Sequence, residues 1–371
     1  MKKKLLLSLF VIALFAVSSC QIGRYFWYNF SDVTDYKIFP SRPLDKSDHP
    51  FFFTEAQNNA RYDKIVTVKD HKGVVRPLNE FLSWSPTVSF LVIRNDSLLY
   101  EGYFNKYDTS SIVASFSMAK SYVSALIGIA IGEGKIKSED DSVVTYLTEL
   151  RNKSGWNKVT IHHLLQMASG VKFGEGYYSP FSGAASYYYG RLLRNRIARL
   201  KTQEPPMQRF DYKSVNTELL ALILERATGM TVTNYLNEKI WKPLQMEFDA
   251  SWSIDQKKNG LEKAFCCINA RARDFAKFGR LYLNNGNWQG QQLVPADWVA
   301  KSIAPNHEKG CAEFYNRQWW IGPNEGDYSC IGHLGQYIYV QPKKNLIIVR
   351  LGKSRAKEDW IDVLRQVAAQ F

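Results

Sequence analysis

The chain has 371 residues, a formal net charge of +13 and 45% hydrophobic content, a length that allows two or three domains. Its lysines and arginines are scattered instead of forming runs, which suits a solvated basic surface or attraction to an anionic envelope and argues against nucleic-acid recognition. No G-x-G-x-x-G, Walker loop, G-x-S-x-G, C-x-x-C or H-E-x-x-H occurs, so nucleotide enzymes, α/β-hydrolases and metal or cofactor sites lose support.

Residues 1–19 read as a secretory signal, in which Lys2, Lys3 and Lys4 precede an apolar run from Leu5 to Val17 and the small residues Ser18 and Ser19. The run is shorter than the ~20 residues needed to span a bilayer. Val17-Ser18-Ser19-Cys20 resembles a bacterial lipobox. That resemblance implies cleavage before Cys20, acylation of this cysteine and attachment to the cell envelope, on a periplasmic or surface face. Processing would remove three lysines and no acid, leaving a charge of +10. Export would place Cys266, Cys267, Cys311 and Cys330 in an oxidising compartment, where Cys311 and Cys330 have the opportunity to form a disulfide. Adjacent Cys266 and Cys267 lie in an apolar stretch and read as small buried residues.

Residues 20–82 are rich in aromatics, Asp and Pro without clear periodicity, and read as a tether plus an extension laid on the domain that follows. From residue 83 to 371 the chain reads as one interlocked unit. Val88 to Ile93, a turn at Asn95-Asp96 and Leu98 to Phe104 form a hairpin pattern. A small-and-apolar helix begins at Ser117 and should stop at Gly132 and Gly134. A helical lobe extends over about 140–285. Strands return with Tyr337 to Val340, a turn at 342–345, and Leu346 to Leu351, before a closing helix over 359–371. Strands at both ends with helices between them predict an α+β fold, an antiparallel sheet from the two termini carrying a helical insertion.

The chemistry concentrates at Ser117-Met118-Ala119-Lys120. The same Ser-x-x-Lys spacing occurs at Ser169 and Ser354. Ser169 precedes Gly170 and suits a helix end, while Ser354 reads as the cap of the last helix. Ser117 alone opens a buried helix, which places its hydroxyl and the Lys120 amine on one face. Burial strips water from the lysine and favours its neutral, basic form. Free N–H groups at the helix start favour negative charge near the serine oxygen.

Two further segments join this motif: Phe210-Asp211-Tyr212-Lys213-Ser214-Val215-Asn216, and Gly332-His333-Leu334-Gly335-Gln336. With them, residues 83–371 resemble the serine β-lactamase and penicillin-binding superfamily, particularly class C β-lactamases, related esterases and nylon-oligomer hydrolases. The resemblance implies a covalent acyl-enzyme on Ser117 with Lys120 and Tyr212 as proton relay, and a phenol whose pKa the nearby lysine lowers. Ser214-x-Asn216 also has the Ser-x-Asn spacing of other members, so Ser214 remains an alternative relay. Otherwise Ser214 and Asn216 would orient substrate. By the same resemblance, His333-Leu334-Gly335 lies on a strand, with His333 and Gly335 meeting substrate and the N–H groups of Ser117 and Gln336 forming the oxyanion hole. Leu334 lacks the hydroxyl with which penicillin-recognising members hold a carboxylate. An ester or amide substrate is therefore expected ahead of a β-lactam or D-alanyl-D-alanine peptide, and a non-catalytic envelope-binding protein of this fold is the rival of another class. Phe173, Tyr177, Tyr178, Phe181 and Tyr187 to Tyr189 form an aromatic cluster that would wall the pocket or serve as packing.

Overall fold

The structure is a computed structural model and describes residues 21–28, 30–56, 62–177 and 179–371. The expected signal segment, Cys20 and Tyr178 lie outside the described residues. Numbering the strands of the main sheet in chain order gives β1 (Thr54–Glu55), β2 (Thr87–Arg94), β3 (Ser97–Tyr103), β4 (Tyr315–Asn316), β5 (Trp319–Gly322), β6 (Asp327–Gly332), β7 (Gln336–Gln341) and β8 (Leu346–Gly352). The principal helices are α1 (Gln21–Tyr28), α2 (Ala119–Gly132), α3 (Ser214–Thr228), α4 (Ala272–Leu283) and α5 (Trp360–Gln370).

The main sheet has the order β4-β5-β6-β7-β8-β2-β3-β1. The last strand in sequence, β8, pairs antiparallel with β2 from Leu346 opposite Arg94 to Gly352 opposite Thr87, so the two chain ends meet in mid-sheet. This is the expected α+β arrangement, and its residues follow the two-residue period of a strand covered on both faces. Leu91, Ile93, Ile347 and Val349 enter the core shared with α2 and α4. Their neighbours Phe90, Val92, Leu346 and Ile348 enter a second core with Phe81, Trp360 and Leu364 under α5.

Helix α2 is buried at every position from Ala119 to Ala130. A helix with no solvent face needs partners all round, and it finds them in α3, α4 and β6. The Tyr122 ring stacks on Phe278 of α4 at 3.7 Å between centroids. A smaller four-stranded sheet, in the order Ser41–Leu44, Ala250–Ser253, Ile268–Ala270, Val113–Ala114, ties the chain just before α2 to the middle of the molecule.

Several expectations need correction. The extension before residue 83 is more regular than its composition suggested: Ser41–Leu44 is a sheet strand, and Leu78–Trp84 is a helix packed on the sheet. Ser117 does not begin α2 itself. It sits in a 3-10 turn, Phe116–Met118, one turn ahead of Ala119. The last helix is capped by Asp359, whose carboxylate accepts from the N–H groups of Ile361 and Asp362, and not by Ser354. Cys311 and Cys330 are both free thiols, the former in a half-buried loop and the latter buried in β6. The disulfide instead joins neighbours Cys266 and Cys267, in a turn that puts Cys267 at a φ of 76°.

Candidate active site

The turn carrying Ser117 is fixed from both sides. Ser115 donates its N–H to the Ile268 carbonyl at 2.7 Å and accepts the Ile268 N–H on its hydroxyl at 3.1 Å. On the other side the turn lies against the end of β6, where a Cβ on Gly332 would fall 2.4 Å from the Ser115 carbonyl oxygen. Only a residue without a side chain permits that approach. Phe116, held at a φ of 44°, turns the chain so that Ser117 faces the cleft.

Lys120 lies one helical turn on, and its Nζ stands 2.9 Å from Ser117 Oγ and 2.9 Å from the Phe265 carbonyl oxygen. Lys120 is 1% exposed. Burial holds its pKa down to about 8, against the opposing pull of Glu175 and Glu218. A neutral amine at this distance can accept the Ser117 proton.

Tyr212 comes from the stretch leading into α3. Its hydroxyl is hydrogen-bonded to Ser117, and its ring centroid lies 5.1 Å from Lys120 Nζ. Tyr315 and Trp320 enclose the ring at 5.9 and 5.7 Å. The three segments therefore do meet at one point. The acidity of Tyr212 is opposite to expectation, because burial, then the carboxylate of Glu175, pushes the phenol above its ordinary value. The physical reason is that the buried phenol has lost its water and stands near the Glu175 carboxylate, which together outweigh the hydrogen bond from Ser117 and the charge of Arg355. The resting state is a phenol beside a lysine that is a free amine in about a tenth of the molecules at pH 7.

Ser214 is not a free relay. Its N–H and hydroxyl both donate to Glu175, at 2.7 and 2.5 Å, and the Tyr177 hydroxyl donates to the same carboxylate at 2.7 Å. Glu175 thus pins the start of α3, and with it Tyr212, to the aromatic loop. Nothing in the linear pattern marks Glu175. The same is true of the Phe265 carbonyl that holds Lys120, and of buried Glu218, which fixes that segment by accepting the Ala264 N–H at 3.0 Å. Asn216 is turned into the core, where its Oδ1 accepts from Ser169 at 2.7 Å. With 0% exposure it ties α3 to the loop of Ser169 and does not line the cavity over Ser117.

His333-Leu334-Gly335 is not strand but a tight 3-10 corner between β6 and β7, with Leu334 at a φ of 62°. His333 stacks on Tyr177 at 5.4 Å and meets Phe116 edge-on at 5.6 Å. Burial and the nearby Arg355 lower its pKa, so the imidazole facing the cleft is neutral. Gly335 is required by its own backbone and by a protein neighbour. It has a φ of 86°, and a Cβ there would sit 2.1 Å from a nitrogen of Arg350, which donates to the Gly335 carbonyl at 2.6 Å. Gln336 turns its amide away to pair with Gly352 of β8, at 2.6 and 2.9 Å, and anchors the corner beside the Ser117 turn. A cavity of about 260 Å³ opens over Ser117 and reaches Tyr177, Cys266, His333 and Leu334. Of the aromatic cluster, Tyr177, Tyr188 and Tyr189 line it, whereas Phe173 and Tyr187 line a separate groove and Phe181 is exposed.

A mixed sheet carrying a helical lobe, with a serine, a lysine and a tyrosine meeting in the cleft between them, defines the serine β-lactamase and transpeptidase class of fold. The penicillin-binding protein of Bacillus halodurans superposes with a TM-score of 0.63 at 18% identity, over 80% of this chain and 99% of that one. The chain belongs to the Beta-lactamase family, whose model matches residues 78–370. Among curated relatives it is 28% identical over 337 residues to the 6-aminohexanoate-dimer hydrolase of Paenarthrobacter ureafaciens, covering 85% of this chain and 82% of the relative. A solved structure from Bacillus anthracis, described as a candidate 6-aminohexanoate-dimer hydrolase, matches with a TM-score of 0.80 and 27% identity over 94% of both chains. The protein is a hydrolase of the esterase and amidase type within this family.

Proposed function

We propose that the protein cleaves an ester or amide through a covalent acyl-enzyme on Ser117. The observation that carries this reading is the single contact point at Ser117 Oγ, 2.9 Å from Lys120 Nζ and hydrogen-bonded to Tyr212. In acylation the neutral Lys120 takes the Ser117 proton as the oxygen bonds to the carbonyl carbon. The backbone N–H groups of Ser117 and Gln336 would stabilise the resulting oxyanion, an assignment supported by the family resemblance of these two positions. Tyr212, a phenol at rest, passes its proton to the leaving alcohol or amine and is reprotonated from Lys120. A water molecule then attacks the acyl carbon, with Lys120 accepting its proton, and Ser117 departs with its hydrogen restored. His333 and Tyr177 would contact the substrate. Leu334 offers no hydroxyl to a carboxylate, which favours ester or amide substrates over penicillins.

A fluorophosphonate probe tests the assignment: wild-type protein should label, and Ser117→Ala should not. Labelling that persists in Ser117→Ala, or fails in folded wild type, refutes it. We further propose that the protein is exported and held on the envelope by acylation of Cys20, a reading supported by the Lys2–Cys20 sequence alone. Metabolic incorporation of a palmitate analogue should be lost in Cys20→Ala, and equal incorporation in both would rule the anchor out.

A further inference from the structure

The cavity over Ser117 has a lining chemistry that bears on what enters it. Phe30, Phe116, Ala185, Tyr189, Phe265 and Leu334 supply apolar surface, and among the described residues no Asp, Glu, Lys or Arg lines it. The hydroxyls of two lining tyrosines are engaged elsewhere: Tyr177 donates to Glu175 at 2.7 Å, and Tyr188 donates to Asp35 at 2.7 Å. Their rings are left to form the wall. The His333 ring is stacked flat on Tyr177 and uncharged. The nearest charged groups, Lys120 behind Ser117, Glu175 behind Tyr177 and Arg355 near His333, stand outside this lining, so a ligand carboxylate or ammonium held against the apolar wall would lose its water without a paired opposite charge.

One wall comes from far away in sequence. Phe30 and Ser31 follow α1, which is anchored by the Arg24 Nε–H donating to the Tyr189 carbonyl at 2.9 Å and by an edge-on contact of Tyr25 with Tyr189 at 5.5 Å. Phe30 is 62% exposed even though it lines the cavity. It lies at the rim, where a substrate group can cover it.

We propose that the acyl part of the substrate is an uncharged hydrocarbon group bound in this cavity, and that Phe30 is a specificity-determining residue for it. The inference rests on Ser117 being the nucleophile. It also separates this chain from a hydrolase built for an acyl group with a charged end.

The test is a series of p-nitrophenyl esters from acetate to octanoate, together with an ester of 6-aminohexanoate and a mono-ester of adipate. The kcat/KM of the neutral series should rise about three- to fourfold per methylene until the cavity is filled. The ester with a terminal ammonium or carboxylate should fall at least about tenfold below neutral hexanoate. In Phe30→Ala, the ratio of octanoate to acetate kcat/KM should fall severalfold relative to wild type, with an unchanged melting temperature showing that the fold is intact. Charged esters that equal hexanoate, or a ratio unmoved by Phe30→Ala, would overturn the inference while leaving Ser117-dependent hydrolysis standing. Hydrolysis undiminished in Ser117→Ala would instead overturn the nucleophile assignment, and the inference with it.

Discussion

The sharpest quantitative consequence of the structure is the pH at which Lys120 becomes a base. An ordinary lysine titrating at 10.5 would be neutral in only about three molecules in ten thousand at pH 7. Burial brings the Lys120 value to about 8, which leaves about a tenth of the molecules with a free amine at pH 7. The gain is roughly 300-fold in competent enzyme. Since kcat/KM reports the free enzyme, its pH profile on a nitrophenyl ester should rise tenfold per pH unit below neutrality and level off near pH 8. Glu175 is the largest nearby charge holding the protonated form of Lys120 in place. Glu175→Gln keeps an acceptor for the Ser214 N–H while removing that charge, so the midpoint should move to lower pH by on the order of one pH unit. A midpoint near 10, or one that stays put or moves upward in Glu175→Gln, would show that the buried amine is not the base. The burial also carries a stability cost of about 3 kcal/mol, taking 10.5 against about 8. The folded value is the lower one, so folding expels a proton between the two. That cost is present in full below pH 8 and fades as pH rises toward 10.5, which urea denaturation at several pH values should register, most clearly as its loss in Lys120→Met.

Other outcomes follow from the same contacts. Tyr212→Phe removes the hydroxyl bonded to Ser117 and should lower kcat by roughly 100- to 10,000-fold while KM stays within a few fold; a change under tenfold would assign the leaving-group proton to another donor. Asn216→Ala should destabilise the fold by about 1–3 kcal/mol, because it takes away the acceptor of the buried Ser169 hydroxyl proton, with KM nearly unchanged; a KM effect without a stability loss would return Asn216 to the substrate. Gly335→Ala, at a φ of 86° and against Arg350, should cost about 1–3 kcal/mol in denaturant titration. Gly332→Ala should separate the Ser117 turn from β6 and abolish fluorophosphonate labelling at a folding cost visible by thermal melting.

Much of this molecule was written in local pattern. Val88 to Ile93 and Leu346 to Leu351 announce buried strands through β-branched runs. Ala119 to Ala130 announces a helix with no wet face, and the spacing of Ser117 and Lys120 needs only helical geometry to bring two side chains together. Those features depend on neighbours in sequence, whose relative positions the backbone fixes. The tertiary structure alone decided what depends on distant groups: that Glu175 occupies Ser214, that Asn216 belongs to Ser169, that Cys266 bonds Cys267 while Cys311 and Cys330 stay apart, and that Gly335 yields to Arg350. It decided the acidity of Tyr212 as well. A hydroxyl's pKa is set by how much water surrounds it and by which charges remain near, and both quantities exist only once the chain has closed around it.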